Sequence, residues 1–169
     1  RNFLQYSRIQ EASADQAAIT YLDRIGWSGE GMMDTFYLFR GQEVLSERQQ
    51  DPYLRSHPLS TDRLSALEDR VSRSPYFGTT DPPQWIAAFD MVKAKLWGFL
   101  DNPALTFRRF PASDQSLPAH YARAVAFHRQ GDAPRALAQL DPILKAMPNN
   151  PFVLELKGQI LFESGRIEE

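Results

Sequence analysis

The sequence holds no cysteine, and that absence removes several classes of protein at once. No disulfide scaffold, thiol nucleophile, cysteine-based zinc finger or iron–sulfur site can be built. It leaves the compartment open, because an oxidising space permits disulfides without requiring them. Histidine is scarce as well: His57, His120 and His128 are the only three in 169 residues, and none lies four residues from another. No apolar run approaches the roughly 20 residues that span a bilayer, and no basic-then-apolar leader opens the chain. A surplus of positive charge is also missing. The 19 Lys and Arg residues scatter among 21 Asp and Glu for a net charge of −2, which argues against nucleic acid as a partner. Period-two alternation of β-branched residues is absent too, so nothing in the chain reads as a sheet.

What is present is a globular, helix-forming composition, 43% hydrophobic, long enough for one domain or two small units. Residues 2–25 carry Leu4, Ile9, Ala12, Ala18, Leu22 and Ile25 at roughly helical spacing, with Gly26 as the expected C-terminal cap. A second helix is expected from Glu30 to about Leu45, with Met32, Met33, Phe36 and Phe39 packing and a break at Gly41. Residues 47–60 hold two prolines and no apolar period, and read as a loop. Ser60 or Thr61 then caps a helix whose Leu64, Leu67 and Val71 form one stripe, ending before Ser74-Pro75. Residues 75–83 contain three prolines and a glycine, the strongest linker signal in the chain. Three segments are therefore expected: residues 1–75, a linker at 76–83, and residues 84–169. Residues 84–100 form a strongly amphipathic helix, with Trp85, Ile86, Phe89, Val92, Leu96 and Leu100 on a broad apolar face and Trp85 and Trp97 as core anchors. The expected fold class is all-α.

From Leu117 onward the sequence repeats itself at an offset of 34: Ala124 aligns with Gly158, Phe127 with Leu161, and Gly131 with Gly165. Small residues let two antiparallel helices approach, and glycine permits the tight turn between them. A helix–turn–helix unit of this length, closed by Pro148, resembles a tetratricopeptide repeat. One unit runs from Leu117 to Asn150 and a second is represented by its first helix, with His120 where a large aromatic residue is usual. The arginines Arg108, Arg109, Arg123 and Arg129 either line a concave repeat surface that receives an acidic peptide or are ordinary solvated charges.

On the first helix Glu11 and Asp15 stand four apart, which puts both carboxylates on one face, flanked by small residues that admit another element. Read from spacing alone, they are either a solvated acidic pair or a metal ligand with its supporting carboxylate. His120 and His128 are eight apart and rotated by roughly 80° on an ideal helix, so they do not chelate together. They read as surface or groove residues.

The string Glu11-Ala12-Ser13-Ala14-Asp15, followed some forty residues later by Ser56-His57-Pro58-Leu59-Ser60 and Arg63, resembles the HtpX and CAAX-prenyl-protease type of zinc metallopeptidase, family forty-eight of the metallopeptidases. The bacterial members that carry tetratricopeptide repeats after the protease domain are the most similar. The resemblance implies the end of a zinc-metallopeptidase domain followed by tetratricopeptide-like antiparallel helix hairpins. It implies Glu11 as the third zinc ligand and Asp15 as its support. His57 would lie at the rim of the active site, close enough to approach the metal or steady the substrate oxyanion, with Arg63 ordering that turn. The chain departs from the family in having no HExxH, which would supply two zinc ligands and the general base. Beginning on Arg1 and stopping without a helix terminator, it reads as a piece of a longer protein, itself metal-free and inactive. The expected activity of the parent is zinc-dependent endopeptidase cleavage of protein or peptide substrates in quality control, in the periplasm or cell envelope. The alternative is a repeat scaffold that recruits a protein partner or presents substrates.

Overall fold

The computed structural model of the protein describes residues 2–40 and 61–168, and every regular element among them is an α-helix. The chain divides into two compact units, Arg1–Asp81 and Pro82–Glu169. No helix among the described residues is long and apolar enough to cross a membrane.

The first unit contains α1 (Asn2–Arg24), α2 (Glu30–Phe39) and α3 (Thr61–Ser72). The α1 helix ends as its sequence predicts. Gly26 takes φ +77°, the left-handed conformation that glycine adopts without steric cost, and Trp27 N–H donates to Leu22 O at 2.9 Å. This turn brings Gly29 close to both flanking helices. A Cβ at Gly29 would lie 2.9 Å from Ile19 Cδ1 and from Val71 Cγ2, so the side-chain hydrogen is what permits the approach. The predicted stripe Leu64, Leu67 and Val71 is buried with Ile19 and Met33, and Met32, Phe36 and Phe39 pack against it. The second helix is shorter than its apolar pattern predicts. It stops at Phe39, because Arg40 takes φ −59° and ψ 130°, an extended ψ from which the helical hydrogen-bond ladder cannot continue. The expected continuation toward Leu45 and the loop at 47–60 lie outside the described residues.

The second unit contains α4 (Pro83–Leu100), α5 (Pro103–Arg109), α6 (Leu117–Arg129), α7 (Ala133–Ala146) and α8 (Pro151–Glu163). Four of these starts use one device: a side-chain oxygen from Asn102, Ser116, Asp132 or Asn150 accepts an N–H of the first turn, with proline just inside the helix, where its missing N–H is not needed. The α6 helix is central. Its Ala119, Ala122, Ala124, Val125 and Ala126 are fully buried, and their small size lets α4 pack on one side and α7 on another. The α6–α7 pair is antiparallel: His120 and Arg123 meet Gln139, while Phe127, further along α6, meets Arg135, earlier in α7.

The apolar face expected on α4 is not the face it buries in its unit. Trp85 is 57% exposed, and Ile86, Phe89, Val92, Leu96 and Leu100 are exposed as well. The helix instead buries Ala94 and Gly98. A Cβ on Gly98 would sit 2.8 Å from Val125 Cβ, so α4 and α6 approach through their smallest residues and the large ones are turned away. Trp97 is likewise not a core anchor: it is partly exposed, and the Arg109 guanidinium lies 3.7 Å from the centre of its ring.

Candidate metal-side carboxylate pair

The site starts from the i, i+4 spacing on α1, which aims Glu11 and Asp15 at α3. Between those positions Ala12 and Ala14 add little bulk. Asp15 is 4% exposed, a burial that a carboxylate tolerates only with a strong partner. That partner is Arg63, on the first turns of α3. Arg63 Nε donates to Asp15 Oδ2 at 2.5 Å and Nη2 to Asp15 Oδ1 at 2.9 Å, a two-point grip that fits the planar fork of guanidinium to the plane of the carboxylate. The same Nη2 lies 3.2 Å from Glu11 Oε2. One arginine therefore holds both acids of the pair. The ring of Phe36 on α2 closes over the guanidinium, with its centre 5.7 Å from Cζ.

The solvated reading of the acidic pair is thereby set aside for Asp15. Glu11 is partly covered, and its carboxylate is oriented by Arg63. Arg63 grips the two carboxylates, and its expected role at the His-Pro turn involves residues outside those described. His57 and that turn lie outside the described residues. Further along the same α1–α3 contact, Arg70 reaches Gln16 and Thr20, and Ser74 Oγ donates to Asp23 Oδ1 at 2.5 Å. These polar bonds flank an open cleft of about 440 Å³ that also takes in Asp69 and Arg73.

A catalytic zinc takes three protein ligands and keeps an open position. Among the described residues no group of three or more His, Cys, Asp and Glu side chains is placed to hold a metal ion. The residues present fit as one oxygen donor, Glu11, with Asp15 and Arg63 behind it, and not as a complete site.

Two side chains read as surface residues are buried instead. His120 is 8% exposed and Arg123 4%. Arg123 Nη1 donates to the carbonyls of Pro111 at 2.9 Å and Asp114 at 2.7 Å, and its Nε donates to Gln139 Oε1 at 2.9 Å, an oxygen that also lies 2.9 Å from His120 Nδ1. Burial pushes the Arg123 guanidinium below its usual range, against the opposing pull of Asp114. Arg123 thus ties the segment before α6 to the α6–α7 pair and does not line a peptide-binding surface. No local sequence signal separated it from Arg108, because the carbonyls it satisfies come from a turn that only the fold brings near. His128 Nε2 lies 3.3 Å from Glu163 Oε2 on α8.

Residues 2–71 match the sequence profile of peptidase family M48. Comparison with curated proteins and with solved structures returned no match.

Proposed function

We propose that the chain supplies one side of a zinc metalloendopeptidase site, with the HExxH helix coming from outside these 169 residues. The observation that carries this reading is the Arg63 grip on Glu11 and Asp15, inside the segment matched to peptidase family M48. Glu11 is the third zinc ligand. A glutamate has several rotamers, and a metal ligand must hold one of them. Arg63 limits that freedom by binding Oε2, and Asp15 in turn fixes Arg63 from a buried position, so the restraint does not depend on solvent-exposed contacts. Asp15 also keeps the local charge negative beside the guanidinium, which favours a cation at Glu11. A bound zinc would polarise the scissile carbonyl and lower the pKa of its water to about 7. His57 is proposed as a rim residue that approaches the metal or steadies the substrate oxyanion, with Arg63 ordering its turn. Substrates are proteins or peptides, and the setting is quality control in the periplasm or cell envelope.

The test uses the protein that carries this segment together with its HExxH helix. Zinc content and casein cleavage are measured for the parent and for Glu11→Gln. The expected outcome is loss of zinc and of cleavage in a folded variant, since Arg63 keeps its two bonds to Asp15. A variant that retains its zinc and its rate removes Glu11 from the ligand set.

A second reading is favoured by the recurrence, 34 residues apart, of the helix and turn of α6 in α8: the second unit is a tetratricopeptide-like scaffold that recruits a protein partner or presents substrate. Incubation of the whole chain with unfolded casein tests it, with retention at micromolar concentration as the expected result. Failure to retain casein there counts against the scaffold and leaves the zinc reading untouched.

A further inference from the structure

The grip of Arg63 on the acidic pair has a third participant, which comes from neither α1 nor α3. Arg63 Cζ lies over the ring of Phe36 on α2, 5.7 Å from its centre, within the range at which the negative face of an aromatic ring attracts a cation. The Arg63 side chain is only 11% exposed there. The ring is held in place by its own helix. Met33, Phe36 and Phe39 stand three apart on α2, so they share one side of it; Met33 is buried in the core of the first unit and both phenylalanines pack against that core. The residue after Phe36 adds an anchor: Tyr37 Oη donates to Glu68 on α3, the helix that also carries Arg63. At the other end of α2, Glu30 Oε2 accepts from Gly78 N–H at 2.6 Å.

We propose that Phe36 is a positioning residue of the metal site: fixed by α2, its ring keeps Arg63 in the rotamer that orients Glu11 toward zinc. This inference rests on the zinc reading above. An arginine side chain has four torsions, and a guanidinium open to water can exchange its protein partners for hydration. The ring removes that alternative on the side it covers, and the water it excludes lowers the local dielectric, which strengthens the bonds to Asp15 and Glu11. Leucine at this position would fill much of the space but would offer no aromatic face to the cation. Tyrosine would keep that face. The effect on the metal is carried by Arg63, as other groups behind a metal ligand act by fixing its orientation.

The experiment compares Phe36→Leu and Phe36→Tyr with a control, Phe39→Leu, which thins the same core about one turn away. Two readouts are taken. Solvent exchange of the Arg63 Nε–H is followed by nuclear magnetic resonance in the chain as it stands. The zinc dissociation constant is measured by competition with a chromophoric chelator, in the protein that carries this segment together with its HExxH helix. Phe36→Leu is expected to speed the exchange and to weaken zinc by about tenfold each. Phe36→Tyr is expected to return both to within about threefold of the parent. Phe39→Leu is expected to lower the urea midpoint and leave both readouts unchanged. A Phe36→Leu protein that matches the parent in either readout overturns the inference, and so does a tyrosine that restores neither. Equal effects of Phe36→Leu and Phe39→Leu also overturn it, because the ring would then serve the core alone. Glu11→Gln tells the two failures apart. If that variant keeps its zinc, the zinc reading falls and this inference with it; if it loses zinc while Phe36→Leu keeps full affinity, only this inference falls.

Discussion

Arg63 and Asp15 are joined by two parallel hydrogen bonds, Nε to Oδ2 and Nη2 to Oδ1, across forty-eight residues of sequence. The pair links α1 to α3 inside the segment that carries the family match, and it is the means by which Glu11 is oriented. Breaking it from the cationic side leaves a buried carboxylate uncompensated. Arg63→Ala is therefore expected to destabilise the first unit by about 3–5 kcal/mol, read as a lower midpoint in urea denaturation. Arg63→Lys keeps the charge but not the planar fork, so it is expected to recover only part of the loss.

Glu11→Gln is expected to behave differently. Glu11 is the more exposed of the two acids, and Arg63 retains Asp15, so stability should change by no more than about 1 kcal/mol. A urea midpoint close to that of the parent chain checks this, and it qualifies the variant as a clean probe of zinc binding.

Two glycines on helices should respond to alanine with opposite signs. At Gly98 the new methyl would lie 2.8 Å from Val125 Cβ and 3.1 Å from the Ala122 carbonyl, so Gly98→Ala is expected to cost about 1–3 kcal/mol through overpacking of α4 on α6. At Gly158 the methyl meets nothing, and Gly158→Ala is expected to add about 0.5–1 kcal/mol through helix propensity. Parallel thermal melts of the two variants decide both.

Tyr121 sets a limit at alkaline pH. Burial, with a smaller contribution from Glu155, pushes its phenol from the ordinary value near 10 up to about 12. Because the folded value lies above the unfolded one, the stabilisation is fully present below about pH 10 and is lost as pH rises toward 12. Ultraviolet titration is expected to show the Tyr121 phenol ionising late. Tyr121→Phe should flatten the fall in stability over that window, at the cost of the 3.3 Å hydrogen bond to the Phe152 carbonyl.

The sequence by itself determined the all-helical class, the cap at Gly26, the buried stripe Leu64, Leu67 and Val71, and the shared face of Glu11 and Asp15. Each of these depends on interactions within a few turns of one helix: spacing, a left-handed glycine, a side-chain cap. Only the tertiary structure decided that α4 buries Ala94 and Gly98 and turns its tryptophans away, that His120 and Arg123 lie inside, and that Arg63 clamps the acidic pair. Periodicity shows that a helix has an apolar face but not which side a neighbour will reach, because close approach favours the smallest residues over the most hydrophobic. A charged side chain is buried when the fold brings it a distant partner, and at Arg63 that partner lies forty-eight residues away.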